Sequence, residues 1–269
     1  MYRGFNLPTT GHRPWNSDRF LDIGLELFDQ NRRSAEAALL RHLGTNGVVD
    51  GTLMQREWFP EIRAQVFLSH SHSDIQEAQK LAGWLLEAMG LVPFIDSAVW
   101  GHANTLLQAI DDNFCLDTAK HTYDYQQRNG TTSHVHAMLS AALMTMIDRT
   151  ECLFFINTPK SLTPRGAAQE AGTYSPWIYL ELSTSSIVRR RPPEQHRQLN
   201  KEASAEGRRV IAEKRDYVSH YDISSAINAL AVLDGDKALD WERAFKQSKQ
   251  QHPHQISLDV LYSRTLPVR

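Results

Sequence analysis

Two short, apolar, β-rich runs on either side of a helical stretch constrain the fold of this chain more than any other feature. The run AQVFLS begins at Ala64, and the run LVPFID begins at Leu91. Between them, apolar residues recur at helical spacing up to Gly90, a typical helix end: Ile75, Ala78, Ala82, Leu85 and Met89. A strand, a helix and a strand within about thirty residues form a βαβ unit, which predicts a parallel sheet.

Further elements of the same kind follow along the chain. Apolar spacing over 103–114 and 135–146 predicts helices, and CLFFI at 152–156 is typical of a strand buried on both faces. Ser175 and Pro176 suit the N-cap and N1 positions of another helix. We also expect a strand near 218–223 and a helix near 236–248. The predicted fold class is α/β, with a flavodoxin-like open parallel sheet and helices on both faces.

The two ends of the chain have a different character. Residues 1–16 contain Pro8, Gly11 and Pro14 and predict an irregular arm, followed by helices that begin near Ser17 and Ser34. We therefore predict a helical N-terminal extension over 1–62, an α/β domain over 63–248 and a C-terminal tail over 249–269. The polar, aperiodic stretch 116–133 predicts an inserted loop within the domain.

Composition limits the classes of function. The chain has 269 residues, 41% of them hydrophobic, and a formal net charge of −2. This balance favours a globular protein and argues against a dedicated nucleic-acid or membrane binder. The two cysteines form no CxxC pair, and no apolar run has the length of a signal peptide or a membrane span. We expect a cytoplasmic protein with no resident cofactor or metal.

The segment VFLSHSHSD, which starts at Val66, permits two interpretations. His70, His72 and Asp74 stand at alternate positions, as in the first metal motif of metallo-β-lactamase-type hydrolases, with His134 or His136 as a further ligand. That motif continues with another histidine, where this chain has Ile75, and it follows β-rich rather than helical sequence. In the other interpretation Ser73 or Asp74 caps a helix, and the histidines lie at the carboxyl end of a strand, where open α/β sheets bind ligands.

The segment SPWIYLEL, which starts at Ser175, is the second candidate site. Trp177 and Glu181 are four residues apart and therefore share a helix face. An indole beside a carboxylate suits a ring-bearing ligand that develops positive charge. The alternative is a half-buried tryptophan with a solvated glutamate on an amphipathic helix.

Four segments in order resemble the TIR (Toll/interleukin receptor) domain family, especially its bacterial members. VFLSHSHSD resembles the family's first strand and loop, and FIDSAVWGHANTLLQAI resembles its second strand and BB loop. CLFFINTPKSL resembles the third strand, and SPWIYLEL resembles the SxWCxxEL helix. The resemblance covers roughly 64–190, is poor before residue 60, and departs from the plant pattern because Ser71 replaces an arginine.

The resemblance implies an enzyme that cleaves the nicotinamide–ribose bond of NAD⁺, its substrate. Glu181 matches the catalytic glutamate of the NAD-cleaving members. The residues that would approach the nucleotide are Ser69, His70, Asp96, Trp100, Gly101 and Trp177. The implied products are ADP-ribose or a cyclic or conjugated ADP-ribose. No GxGxxG follows a predicted strand, which argues against an oxidoreductase.

The resemblance also implies a biological setting. Bacterial members of this type act in antiphage defence, in the Thoeris arrangement, where the product signals to a partner effector protein. It further implies self-association through the TIR domain. The alternative function is a non-catalytic TIR adaptor, and a metallo-hydrolase that uses His70, His72 and Asp74 is the third.

Overall fold

A parallel sheet of five strands forms the centre of the molecule. The computed structural model describes residues 1–42, 64–97, 107–108, 110–112, 114–117, 122–165, 170–202 and 221–265. The strands are β1 (Arg3–Pro8), β2 (Val66–Ser69), β3 (Pro93–Ile95), β6 (Cys152–Asn157) and β10 (Ala231–Val232), in the order β10-β1-β6-β2-β3. All four strand pairings are parallel. The predicted α/β class and parallel sheet are therefore confirmed, and the sheet is compatible with a flavodoxin-like fold.

Helices cover both faces of this sheet. On one face lie α1 (Asp18–His42), α2 (Ile75–Met89), α7 (Gly235–Gln251) and α8 (Ser257–Arg264). On the other lie α3 (Tyr125–Arg149), α4 (Pro176–Ile187) and α6 (Ser224–Asn228). Each face has its own hydrophobic core, the first core under α1, α2, α7 and α8 and the second core under α3, α4 and α6. Successive strand residues point to opposite faces, so Leu68 belongs to the first core and Phe67 to the second. Both faces of β2 are buried, which explains its continuous apolar run.

The chain leaves β2 and β6 in opposite directions. After β2 it passes through α2 on the first face to β3, at one edge of the sheet. After β6 it passes through α4 on the second face towards β10, at the other edge. The carboxyl ends of these neighbouring strands therefore form a topological switch point, where open α/β sheets bind their ligands.

The irregular arm predicted over 1–16 is wrong for residues 3–8. These residues form β1, which pairs with β6 along its whole length and with β10 on its other side. Gly4 and Pro8 concealed the strand in the sequence, but Phe5 and Leu7 are fully buried in the first core. The two helices expected next are a single helix, α1. The predicted boundary at 62/63 lies outside the described residues.

The predicted inserted loop and C-terminal tail are also corrected. Residues 116–117 and 122–123 form a short hairpin, β4 (Leu116–Asp117) and β5 (Thr122–Tyr123), and 125–133 already belong to α3. The Asp124 side chain caps α3 by accepting from the Gln127 amide at 2.8 Å. At the C-terminus, the predicted boundary at 248 falls within α7, and Leu258 and Leu261 of α8 are buried in the first core.

Several local predictions are confirmed. Gly90 ends α2 in the left-handed conformation, with a φ of 64°. Ser175 is the N-cap of α4, its hydroxyl accepts from the Ile178 amide at 3.2 Å, and Pro176 begins the helix. The remaining elements are β7 (Thr163–Arg165), β8 (Glu170–Thr173) and β9 (Tyr221–Asp222), which form a small antiparallel sheet, and α5 (Pro193–Glu202).

Within the stretches of chain that the structure describes, none of the helices combines the length and the apolar character needed to cross a membrane.

Candidate functional site

A cluster of buried polar side chains lies at the carboxyl ends of β2 and β3, beside the switch point. Ser69 is the last residue of β2, and His70 follows it. Asp96 and Ser97 come directly after β3, and Glu181 projects from the middle of α4. Each of these five residues is buried. Four of them (Ser69, His70, Asp96 and Glu181) are candidate site residues from the sequence, and the structure brings them together.

Glu181 is fully buried and is held by the end of β2. The Ser69 hydroxyl donates a hydrogen bond to Oε2 of Glu181 at 2.5 Å. Oε1 of Glu181 has no hydrogen-bond partner among the described residues. Burial raises the pKa of Glu181 well above its ordinary value, the nearby Asp96 carboxyl raises it further, and the Ser69 hydrogen bond acts in the opposite direction. Burial and the Asp96 carboxyl thus both favour the neutral form of Glu181.

His70 connects the ends of β2 and β3. Its Nε2 lies 3.0 Å from Oγ of Ser97, and its Nδ1 lies 2.9 Å from Oδ1 of Asp96. The second contact has ion-pair distance but not the alignment of a linear hydrogen bond. Asp96 also accepts from the Ser97 amide at 2.7 Å. Burial lowers the pKa of His70, but the Asp96 carboxylate, a backbone hydrogen bond with Leu68 and the charge of Asp74 together outweigh burial, and the pKa is raised overall.

Trp177 lies one turn before Glu181, in the first turn of α4. Its ring meets the His136 ring of α3 edge to face, with 6.0 Å between the ring centroids. It also packs against the second core, so its indole is half-buried rather than solvated. This agrees with the predicted helix position. A role in ligand binding stays a prediction.

The remaining candidate residues have different outcomes. Trp100 and Gly101 lie outside the described residues. Ser97 was not a candidate from the sequence, although its position directly after Asp96 at a strand end was a usable signal. Asp74 stands at the N-terminus of α2, but its side chain does not cap the helix. It accepts instead from the Thr158 hydroxyl at 2.5 Å, which joins the loops that follow β2 and β6.

The spacing of His70 and His72 does not produce a joint site here. His70 is buried, whereas His72 is exposed and lies in a 3₁₀ turn (His72–Asp74). Among the residues that the structure describes, no three His, Cys, Asp or Glu side chains are placed to share one metal ion. The buried cluster instead combines carboxyl, imidazole and hydroxyl groups, which are suited to moving protons and to stabilising positive charge.

Comparison with known proteins gives no match to this chain. No protein-family model matches the chain, and searches of curated proteins and of solved structures return no significant match. The TIR resemblance therefore rests on the four sequence segments alone, and the function has to be argued from the buried cluster.

Proposed function

We propose that this chain cleaves the nicotinamide–ribose bond of NAD⁺, with Glu181 as the catalytic residue. One observation carries the proposal: a fully buried glutamate, hydrogen-bonded to Ser69, lies at the switch point of a parallel sheet. Three of the residues that the TIR resemblance assigns to the nucleotide, Ser69, His70 and Asp96, belong to this same cluster. ADP-ribose, or a cyclic or conjugated form of it, is the proposed product.

The chemistry of NAD⁺ suits a single carboxylate. The nicotinamide ring is cationic while bound to ribose and departs as a neutral molecule, so its departure needs no general acid, unlike that of an ordinary glycoside. The ribose develops oxocarbenium character, which a nearby negative charge stabilises.

Substrate binding itself is proposed to ionise Glu181. A positive charge close to a carboxyl group lowers its pKa. The cationic ring therefore counteracts the effect of burial and favours the ionised form of Glu181, whose proton passes to solvent as the substrate binds. In this proposal, burial of Glu181 with few hydrogen-bond partners lowers the stability of the fold but serves catalysis.

The decisive experiment measures nicotinamide release from NAD⁺ by the purified protein, with and without EDTA. Glu181→Gln is expected to reduce the rate by about 100-fold or more, because it removes the charge and preserves the size. Glu26→Gln, an exposed change on α1, is the matched control. Equal rates for Glu181→Gln and the unaltered protein would reject the proposal.

The other outcomes separate the alternative functions. Metal-dependent hydrolysis of a different substrate would favour a metallo-hydrolase. Absence of turnover even after addition of lysate from phage-infected cells, together with self-association, would favour a TIR adaptor. Antiphage defence and an effector that senses the product belong to the same proposal, and the infected-cell arm tests them.

A further inference from the structure

Ser97, His70 and Asp96 stand in the relative positions of a nucleophile, a base and the carboxylate that orients the base. Oγ of Ser97 lies 3.0 Å from Nε2 of His70, while the opposite ring nitrogen, Nδ1, lies 2.9 Å from Oδ1 of Asp96. The two contacts use the two different nitrogens of one imidazole. That is the connectivity by which a histidine removes the proton of a serine hydroxyl, with the carboxylate stabilising the imidazolium.

Burial supports a chemical role for this group. As whole residues, His70 and Asp96 are each 4% exposed and Ser97 is 9% exposed. Ser97 is thus the least buried of the three. The His70–Asp96 contact is not aligned as a linear hydrogen bond. Such contacts are commonly loose in resting enzymes and tighten when substrate binds.

The group of Ser97, His70 and Asp96 adjoins Glu181 through Asp96. Asp96 faces His70, accepts from the Ser97 amide, and is close enough to Glu181 to raise the pKa of that glutamate. A sugar carbon that becomes electrophilic beside Glu181 therefore has a serine hydroxyl within the same cluster. The Ser97 amide is itself bonded to Asp96.

We propose that Ser97 is an activated nucleophile and that it accepts the ADP-ribosyl group of NAD⁺; the second half of the proposal rests on the proposed function. The bond between the ribose anomeric carbon and nicotinamide breaks, and its electron pair leaves with neutral nicotinamide. The bond between that carbon and Oγ of Ser97 forms, and the hydroxyl proton moves to Nε2 of His70. Asp96 acts as the positioning residue. This transfer competes with the attack of water or another acceptor, which gives the free products proposed above, and it modifies each chain at most once, at Ser97.

The first test measures nucleophilicity without NAD⁺. A small phosphonofluoridate reacts with activated serines: an oxygen–phosphorus bond forms, fluoride leaves, and the proton passes to the base. Mass spectrometry of digested protein is expected to find the label on Ser97. His70→Gln is expected to slow labelling by about 100-fold or more, because general-base assistance is lost. Ser97→Ala should abolish the label.

One variant serves as the control in that test. Ser185→Ala removes another buried hydroxyl, which donates to the Leu182 carbonyl, and should leave labelling unchanged. Circular dichroism confirms that each variant is folded. The assignment of Ser97 as a nucleophile would be overturned if Ser97 stays unlabelled in the unaltered protein, or if His70→Gln and the unaltered protein are labelled at equal rates.

The second test incubates the protein with NAD⁺ and measures both nicotinamide and the mass of the peptide that contains Ser97. We expect up to one ADP-ribosyl group per chain, absent in Ser97→Ala and in Glu181→Gln. Nicotinamide release with an unmodified Ser97 would overturn the acceptor role and leave the proposed function standing. If Ser97 reacts with the phosphonofluoridate but the protein releases no nicotinamide from NAD⁺, the proposed function is rejected, and the acceptor role with it.

Discussion

At the scale of single residues, Glu181 is the most informative side chain of the protein. The sequence places it on one helix face with Trp177 and leaves open whether it is solvated. The structure shows that it is fully buried, with one carboxylate oxygen bonded to Ser69. Burial of an ionisable group with incomplete partners costs stability, and it is typical of sites where function rather than folding selects the residue.

The raised pKa of Glu181 makes stability depend on pH. Unfolded, the carboxyl ionises near its ordinary value of 4.5; folded, it stays protonated to higher pH. Above pH 4.5 the folded state therefore holds more protons, and this group lowers the free energy of unfolding as pH rises. In Glu181→Gln this decline should be absent, so the variant becomes relatively more stable with increasing pH. The difference grows by at most about 1.4 kcal/mol per pH unit.

Urea unfolding from pH 5 to pH 8 measures this effect. Glu26→Gln again serves as the control, because that residue is exposed and its substitution should leave the pH dependence unaltered. Parallel stability curves for Glu181→Gln and the unaltered protein would show that Glu181 is not held neutral in the folded state.

At the scale of elements, the close approach of α1 and α2 depends on two glycines. A Cβ on Gly24 would lie 1.9 Å from the carbonyl oxygen of Gln79, and a Cβ on Gly83 would lie 2.0 Å from that of Phe20. Backbone therefore touches backbone on both sides of the crossing. The two helices would have to separate to accommodate a methyl group at either position.

Gly83→Ala is accordingly expected to destabilise the protein by about 1–3 kcal/mol or more, in spite of the higher helix propensity of alanine. Gly130→Ala is the matched control, because Gly130 is also helical but has no atom within 4 Å of an added Cβ. It should be neutral or stabilise by up to about 1 kcal/mol. Thermal unfolding of both variants tests this, and equal effects would refute the close helix packing.

Prediction of the elements succeeded where a signal was local. The β2–α2–β3 unit, β6 and the start of α4 follow from apolar runs, Gly90 and Ser175, all of which act within a few residues. Prediction failed for β1, because Gly4 and Pro8 are unfavourable inside a strand and only pairing with β6 and β10 compensates for them. It failed at 125–133 for a similar reason: the polar start of α3 is held by contacts of Asp111 with Arg128 and Thr131.

At the scale of the whole molecule, β1 makes the N-terminal region part of the sheet. It lies between β10 and β6, so its removal would separate these strands. The Phe5 ring contacts the Phe154 ring edge to face at 5.3 Å, in the middle of the first core. Residues 3–8 are thus part of the central sheet and not part of a separable extension.

Phe5→Ala is expected to cost about 3–5 kcal/mol of unfolding free energy, and a chain that begins at residue 63 is expected not to fold cooperatively. Leu25→Ala is the control, because Leu25 is 41% exposed on α1 and its loss should cost less than about 0.5 kcal/mol. Urea unfolding measures all three. A cooperative transition in the shortened chain would restore the predicted boundary near residue 62.

The amino-acid sequence by itself determined the α/β class and the β2–α2–β3 unit, which depend on periodicity and on strand ends, and these are properties of neighbouring residues. It also indicated Glu181 by helix spacing and His70 by its place at a strand end, while Ser69 and Asp96 followed from the TIR resemblance. Only the tertiary structure decided the central place of β1, the burial of Glu181, the role of Asp74 between two loops, and the addition of Ser97 to His70 and Asp96. Each of these depends on residues far apart in the chain, whose contacts form only when the sheet is assembled.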